Sequence, residues 1–307
     1  MSTTLKEVSE ISIPLPWGQI KARAWGPDDG YPVLCLHGWA DNCGSFNTLI
    51  PLLPKECRYV ALDHAGHGLS SHRPSGVFYT FPSYVADLYR VADGLKWTKF
   101  SIIGHSMGGN VAGMFSALYP EMVDAIILLD APGFLPKDAA EISELMREGI
   151  HEMLQYETKA EQKTKVYTYE KAMERLLAAN PTLSEESVRI LLERGLAAVE
   201  GGFVFSRDLR LNFKNIVRLT LEQSLEMQSR IKSSVLVVLA DKGLSTLQDS
   251  KQKETISTLL QGYLDRNHTV VTVPGDHHVH LNNPEVVAPV VSDFLQRKVI
   301  SQQLSAS

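Results

Sequence analysis

The sequence predicts an α/β fold in which a mostly parallel sheet is covered by helices and carries a helical insertion. Short apolar runs alternate with helix-length amphipathic segments over most of the chain. Several of the apolar runs are continuous, which is typical of parallel strands that are buried on both faces. The alternation stops between about residues 133 and 227, where Glu, Lys, Leu and Met recur at helical spacing. Strands that alternate with helices indicate a parallel sheet covered by helices.

The predicted strands are short runs of β-branched and apolar residues. The runs 33–36 and 125–129 contain no polar residue, so we expect both to be strands that are covered on both faces. The full set of predicted strands comprises residues 11–15, 20–25, 33–36, 59–62, 100–103, 123–129, 235–239 and 268–273.

The predicted helices of the α/β part lie between these strands, where apolar residues repeat at a helical period. They comprise residues 45–53, 82–95, 107–118, 252–262 and 284–297.

The segment that breaks the alternation shows no convincing strand and predicts further helices, at 139–155, 169–179 and 185–199. We interpret it as a helical cap over the sheet, because strand-type sequence resumes at Val235 and completes the same pattern. A second, independent helical domain is the alternative. The predicted organisation is a core of residues 1–132, a cap of residues 133–230 and a second part of the core, residues 231–307.

Composition excludes several classes of protein. The 307 residues are 44% hydrophobic and 21% charged, far from disordered, collagen-like or disulfide-rich chains. With 30 Lys and Arg against 35 Asp and Glu, the formal net charge is −5. We therefore expect neither a nucleic acid nor an anionic membrane as a partner. The composition leaves the oligomeric state open.

The sequence predicts a cytoplasmic protein with no transmembrane segment. The N-terminus lacks the layout of a secretory signal, and no apolar run approaches the roughly 18 residues that a membrane span needs. Cys35, Cys43 and Cys57 are an odd number of cysteines without metal-type spacing, as expected for reduced thiols. The C-terminal tripeptide 305–307, Ser-Ala-Ser, distantly resembles a peroxisomal signal, which makes that compartment the alternative.

The strongest local motif is Gly104-His105-Ser106-Met107-Gly108, which lies between a predicted strand and a predicted helix. This context is that of a nucleophile elbow, a strained turn that projects the serine hydroxyl outwards. Glycines are required on both sides of the serine because larger side chains would collide with the neighbouring backbone. We predict that Ser106 is a nucleophile.

A serine nucleophile needs a base, and the segment 274–280 offers three histidines just after the last predicted strand. We predict His277, because a neutral imidazole in this loop can accept the Ser106 proton near pH 7 and return it to the leaving group. His278 and His280 are alternative bases. A metal cluster formed by these three histidines is a competing hypothesis, but the sequence lacks the usual metallohydrolase spacings, so we predict no metal site.

The third member of such a site is a carboxylate that orients the base. Asp130 and Asp241 both follow predicted strands, at the carboxyl ends where sites of open α/β sheets lie. Each can instead serve as a turn or capping residue.

Acyl transfer also needs hydrogen-bond donors for a tetrahedral oxyanion. The backbone N–H of Met107 is one donor by the construction of the elbow. The loop after strand 33–36 reads His37-Gly38-Trp39, and we predict the N–H of Trp39 as the second donor. His37 is predicted to pack the loop rather than to act as another base.

Four motifs together resemble the α/β-hydrolase family, and more closely its serine hydrolase-like, kraken-type branch. They are Leu-His-Gly-Trp at 36–39, Asp-x-x-Gly-His-Gly-x-Ser at 63–70, Gly-His-Ser-Met-Gly-Gly at 104–109, and Gly-Asp-His at 275–277 ahead of Asn-Pro-Glu at 283–285. The resemblance spans nearly the whole chain and implies the α/β-hydrolase fold. That fold is a mostly parallel sheet of about eight strands with a helical cap inserted after the sixth.

The resemblance also indicates which carboxylate orients the base. The family usually carries the acid after the seventh strand, but Gly243 stands at that place in this sequence. Dehalogenase-like relatives carry an acid after the sixth strand, and Asp130 occupies the matching position. The resemblance therefore implies the order Ser106, Asp130, His277. Because the nucleophile is serine rather than aspartate, dehalogenation and epoxide opening are not expected.

We expect a serine hydrolase that cleaves a carboxylic ester or a related small-molecule acyl substrate through an acyl-enzyme, without a cofactor. The alternative is a ligand-binding or receptor protein that keeps the hydrolase scaffold with little turnover. Five residues are candidate walls of the substrate pocket, but we favour a role in core packing for each of them: Phe134, Leu135, Met146, Phe203 and Phe205.

Overall fold

The centre of the protein is an eight-stranded sheet, seen in a computed structural model that describes residues 8–159, 165–246 and 249–302. The strands of the sheet are β1 (Ser9–Leu15), β2 (Gly18–Trp25), β3 (Tyr31–Leu36), β4 (Cys57–Leu62), β5 (Phe100–His105), β6 (Val123–Leu129), β9 (Ser234–Lys242) and β10 (Thr269–Asp276). Their order across the sheet is β1-β2-β4-β3-β5-β6-β9-β10. The first two strands pair antiparallel with each other, β2 pairs antiparallel with β4, and the other pairings are parallel.

Both faces of the sheet are buried, which explains the continuous apolar runs of its central strands. In β3, Leu34 and Leu36 belong to one hydrophobic cluster, whereas Val33 and Cys35 belong to the cluster on the opposite face. The prediction of a mostly parallel, helix-covered sheet is confirmed. The helices outside the insertion are α1 (Phe81–Leu95), α2 (Met107–Leu118), α7 (Ser250–Leu264), α8 (Val279–Asn282) and α9 (Pro284–Leu295).

The helix predicted at 45–53 is wrong. Two short 3-10 helices, Cys43–Phe46 and Ile50–Leu52, take its place. The side chain of Asn42 caps the first of them, and Pro51 begins a new turn in the second, because proline lacks the N–H that a continuing helix needs. Most apolar residues of this segment are buried all the same, which explains why their spacing suggested one helix.

In the described part of the chain, six α-helices and strands and one short 3-10 helix (Leu209–Asn212) lie between β6 and β9, and we call this segment the cap. The α-helices and strands are α3 (Ala139–Thr158), α4 (Tyr169–Ala179), α5 (Glu185–Gly195), β7 (Leu196–Val199), β8 (Gly202–Phe205) and α6 (Leu221–Ser229).

The hairpin of β7 and β8 contradicts the prediction that this segment has no strand and that a helix runs over 185–199. The helix ends at Gly195, and the chain turns through Gly201 and Gly202, whose φ angles are +84° and +150°. Only glycine adopts such angles without strain, so this pair forms the turn between β7 and β8. The backbone of Phe203 then exchanges two hydrogen bonds with Tyr167, both of 2.8 Å.

A buried ion pair joins the cap to the core. Arg194 of α5 donates from Nε to Oδ2 of Asp63 at 2.9 Å, and both side chains are almost fully buried. Asp63 also accepts the N–H groups of Cys43 and Leu69, so the same carboxylate ties two core loops to the cap helix.

Among the described residues, no helix is long and apolar enough to cross a bilayer. The C-terminal tripeptide 305–307, on which the peroxisomal alternative depends, lies outside the described residues.

Candidate active site

Ser106 lies on a sharp turn between β5, which ends at His105, and α2, which begins at Met107. Its backbone adopts φ 51° and ψ −117°, a strained conformation for a residue other than glycine. The glycines around it are sterically required: a Cβ on Gly104 would lie 2.5 Å from the carbonyl oxygen of Gly108, and a Cβ on Gly108 would lie 2.2 Å from that of Leu36.

The structure brings Ser106, His277 and Asp130 into one hydrogen-bonded chain. Nε2 of His277 lies 3.0 Å from Oγ of Ser106, and Nδ1 of His277 lies 2.6 Å from Oδ2 of Asp130. The three residues come from the ends of β5, β10 and β6, which lie in the same half of the sheet. Their side chains meet because the carboxyl ends of parallel strands lie at the same edge.

Asp130 is buried, with 1% of its surface exposed, and its backbone has a positive φ of 45°. Its carboxylate is held from three sides. Oδ1 accepts the N–H of Ala240 at 3.0 Å, and Oδ2 accepts both the N–H of Leu244 at 2.7 Å and the hydrogen on Nδ1 of His277. A carboxylate fixed in this way orients the imidazole and leaves Nε2 as the atom that faces the serine.

Gly243 leaves the position after β9 free for the carboxylate of Asp130. A Cβ on Gly243 would lie only 2.2 Å from Oδ2 and 2.5 Å from Oδ1 of Asp130, so the carboxylate that follows β6 occupies the space that a side chain at 243 would need. The alternative acid, Asp241, is exposed and accepts the N–H of Gly275 at 2.9 Å. Through this hydrogen bond, Asp241 holds the turn before His277.

The loop that carries His277 is anchored by its neighbours. Nε2 of His105 lies 2.7 Å from the carbonyl oxygen of His277 and donates to it. His278 lies 3.0 Å from Oδ2 of Asp41. Burial opposes a charge on His278, but the carboxylate of Asp41 raises the pKa of this imidazole above its usual value. His278, a predicted alternative base, is therefore bound to Asp41 on the core side of the loop.

Several other histidines are packed behind the site in neutral form. Burial lowers the pKa of His67 and of His280 to about 3, and it lowers the pKa values of His64 and His105 well below their usual range. We call these four residues the buried histidine cluster. Both ring nitrogens of His280, the other alternative base, lack a hydrogen-bond partner among the described residues.

His37 is fully buried, as expected for a residue that packs its loop. Nδ1 donates to the carbonyl oxygen of Gly38 at 2.7 Å, and Nε2 accepts the N–H of His64 at 3.0 Å.

In the described part of the chain, three side chains can offer metal ligands from one place, namely Asp41, His105 and His278, whose ligand atoms lie within 4.8 Å of one another. This group differs from the metal cluster of the three C-terminal histidines considered above. Its members already hold the loop of His277, through the bonds that His105 and Asp41 make. These bonds give the group a structural role.

A cavity of about 370 Å³ opens in front of Ser106. We call it the first cavity. Trp39 and Met107, the predicted oxyanion donors, both line it. The N–H of Met107 is in the first turn of α2, where no intrahelical acceptor exists. Within the described residues, the N–H of Trp39 also has no acceptor, whereas its indole Nε1 donates to the carbonyl oxygen of Leu211 in the cap at 2.9 Å.

The walls of the first cavity are mostly aromatic and apolar, and few of the candidate wall residues contribute to them. Of the five candidate wall residues, Leu135 lines this cavity, whereas Phe134 is buried in the core and Met146 is exposed on α3. Sequence reasoning missed the aromatic side chains next to the site, because nothing in the local pattern shows which side of a loop faces a cavity. These missed residues are Tyr79, Phe81, Tyr84 and Phe213.

Comparison with known proteins shows what the chain resembles. The family described as the alpha/beta hydrolase fold matches residues 31–284. A serine hydrolase-like protein of Danio rerio is 54% identical, covering 100% of this chain and 94% of the relative. Serine hydrolase-like protein 2 of Homo sapiens is 42% identical over 94% of both chains. A crystal structure of a hypothetical protein from Pseudomonas aeruginosa PAO1 superposes with a TM-score of 0.84 at 33% identity, covering 94% of this chain and 99% of that one.

Proposed function

The chain belongs to the α/β-hydrolase fold family and to its serine hydrolase-like members, and on this premise we propose that it cleaves a carboxylic ester or a related acyl bond through an acyl-enzyme. The single observation that carries the proposal is the hydrogen-bonded chain from Oγ of Ser106 through His277 to the buried carboxylate of Asp130. Each member has the partner that its chemical role requires.

In the first half of the reaction, Oγ of Ser106 attacks the acyl carbon while Nε2 of His277 removes the hydroxyl proton. The distance of 3.0 Å between these atoms is within reach of a direct transfer. Asp130 holds Nδ1 of His277 and stabilises the imidazolium that forms. The backbone N–H groups of Trp39 and Met107 stabilise the charge that develops on the carbonyl oxygen.

The first half ends when the bond between the acyl carbon and the leaving group breaks. His277 passes its proton to that leaving group, and the acyl group stays on Ser106 as an ester. The second half of the reaction releases the acid. A water molecule then attacks this ester, His277 removes a proton from the water, and the proton returns to Oγ of Ser106 as the carboxylic acid leaves. The enzyme recovers its starting state, so no cofactor is consumed.

The first cavity supports a substrate with an apolar group. Its volume of about 370 Å³ accommodates a medium-sized acyl or alcohol group, and its aromatic walls contribute most through burial of apolar surface. We propose a small molecule as the substrate. In keeping with the formal net charge of −5, we propose no role for a nucleic acid.

Intact-mass analysis after treatment with a fluorophosphonate tests the proposal, because this reagent phosphonylates an activated serine. We expect one adduct on the parent protein and none on Ser106→Ala. Ser143→Ala, which removes an exposed serine of α3, is the control and should take one adduct like the parent.

The same three proteins should be assayed for hydrolysis of 4-nitrophenyl butanoate. Turnover by the parent that is lost in Ser106→Ala supports the proposal. An adduct or turnover that survives in Ser106→Ala would contradict the assignment of the nucleophile. A folded parent that takes no adduct and hydrolyses no ester would favour the ligand-binding alternative.

A further inference from the structure

A second cavity, of about 440 Å³, shares the wall residue Trp39 with the first. The side chain of Trp39 is half exposed, and its backbone N–H is a proposed oxyanion donor, so the second cavity adjoins the proposed reaction site. The second cavity lies between the core loop that contains Asp41 and the cap elements α4 and α5. Part of its wall is apolar, with contributions from Leu176 and Phe205.

Two arginines of the cap, Arg175 of α4 and Arg207 after β8, line this second cavity. The guanidinium of Arg207 lies 5.3 Å from the centre of the Trp39 ring, and that of Arg175 lies 5.7 Å from the centre of the Tyr167 ring. Within the described residues, neither arginine has a carboxylate within 4.0 Å. Their contacts are therefore with aromatic faces, which leave the N–H donors of both guanidinium groups available.

Two other arginines of the cap differ in this respect. Arg194 is paired with Asp63 at 2.8 Å, and Arg210 is paired with Asp208 at 2.7 Å. Each of these arginines thus has a carboxylate partner, whereas the pair that faces the second cavity has none among the described residues. Two positive charges on one cavity wall repel each other unless an anion lies between them.

The electrostatics around Arg207 also favour an anion at this wall. Burial lowers the pKa of its guanidinium, and the positive charge of Arg175 lowers it further. Asp41 is the acid that opposes this effect, but its Oδ2 is already 3.0 Å from Nε2 of His278. Among the described residues that line this cavity, two arginine charges thus face the one carboxylate of Asp41, which His278 also contacts, as expected where a ligand supplies further negative charge.

We propose that the second cavity binds an anionic group, a carboxylate or a phosphate, on the part of the substrate that extends past Trp39 while the reacting carbonyl lies at Ser106. Guanidinium groups bind both anions through paired N–H donors, and apolar surface beside them accommodates the chain that carries the charge. The inference rests on the proposed hydrolase function and adds a class of substrate to it.

Turnover of a matched series of esters tests the inference. The neutral member is butyl butanoate. Two charged members carry the anion on the alcohol side, 4-(butanoyloxy)butanoate and 4-(butanoyloxy)butyl phosphate, and monobutyl succinate carries it on the acyl side. Proton release in a pH-stat measures kcat/KM for all four. The parent should prefer at least one charged ester over butyl butanoate, and the preferred one identifies the anion and its side.

The variant Arg175→Met with Arg207→Met removes both charges and keeps most of the apolar length of both side chains. We expect kcat/KM for the preferred charged ester to fall by about 10- to 100-fold, because hydrogen bonds to charged groups are lost. The value for butyl butanoate should change less than about threefold. The control, Arg147→Met with Arg189→Met, removes the same net charge from exposed positions of the cap and should leave the preference intact.

Equilibrium binding separates failure of this inference from failure of the hydrolase proposal. Isothermal titration of Ser106→Ala with phenyl phosphate, benzoate and the neutral benzyl alcohol needs no turnover. We expect an anion to bind more tightly than benzyl alcohol, and its affinity to fall when both arginines are replaced. Equal affinities for charged and neutral probes, or affinities that both arginine replacements leave unchanged, would overturn the anion site even if Ser106 reacts with a fluorophosphonate. Anion binding through the arginines in a protein that hydrolyses no ester would overturn the hydrolase proposal alone.

Discussion

Replacing Gly243 by Ala should disable the proposed acid without touching a reacting group. The added Cβ would lie 2.2 Å from Oδ2 of Asp130, whereas non-bonded heavy atoms settle at about 3.5 Å. The carboxylate must therefore retreat by about 1 Å, given this difference. Oδ2 makes the bonds of 2.6 Å to His277 and 2.7 Å to Leu244, and a movement of this size breaks both.

The expected effect is mainly on kcat. A misplacement of about 1 Å costs about 100-fold in rate, and the loss of a triad carboxylate, about 10⁴-fold, is the upper limit. KM should change little because Asp130 lies behind His277 and does not line the first cavity. Overpacking at Gly243 should also lower the free energy of unfolding by about 1–3 kcal/mol.

Steady-state hydrolysis of 4-nitrophenyl butanoate and the rate of fluorophosphonate labelling are the assays, and urea unfolding shows whether each variant is folded. Gly201→Ala is the matched control. Gly201 has a φ of +84°, but a Cβ added there would meet nothing within 4 Å among the described residues beyond its chain neighbours. This variant should therefore lose about 1 kcal/mol of stability and no activity. A folded Gly243→Ala protein that keeps kcat within about threefold of the parent would refute the argument for Asp130.

The remaining predictions concern the acid, the buried ion pair and the histidines behind the site. In the same ester assay, Asp130→Asn should lower kcat by about 10³- to 10⁴-fold, whereas Asp241→Asn should change kcat less than about threefold. The reverse result would identify Asp241 as the acid. Arg194→Met leaves the buried carboxylate of Asp63 unpaired and should cost about 3–5 kcal/mol in urea unfolding, whereas the exposed Arg189→Met should cost less than about 0.5 kcal/mol. The buried histidine cluster is neutral in the folded state because its pKa values are lowered, so below about pH 6.5 the unfolded state binds more protons and stability falls. Each histidine lowers the free energy of unfolding by up to about 1.4 kcal/mol for each pH unit below this value. A free energy of unfolding that stays constant from about pH 6.5 to 5.5 would show that these imidazoles are not buried in neutral form.

Much of the fold could be predicted because its signals are local. Continuous apolar runs predicted the buried parallel strands, and the structure shows why, since neighbouring residues of β3 pack on opposite faces. The pattern around Ser106 was equally informative, because the glycines that the turn needs are close to it in sequence. The prediction failed at 45–53 and at the hairpin after Gly195, where apolar residues occur at a spacing that does not distinguish a helix from other turns and strands.

Sequence alone determined the class of fold, the nucleophile candidate and the loop that contains the histidine, because each depends on residues that are neighbours along the chain. The resemblance implied Asp130 as the acid, but only the tertiary structure shows its contact with His277 and the space beside Gly243 that its carboxylate fills, because these residues follow different strands. The tertiary structure also decided which side chains face the two cavities and which of the described arginines lack a carboxylate. Both the lining of the cavities and the partners of the arginines depend on contacts between segments that are distant in sequence. The local spacing of residues does not determine such contacts.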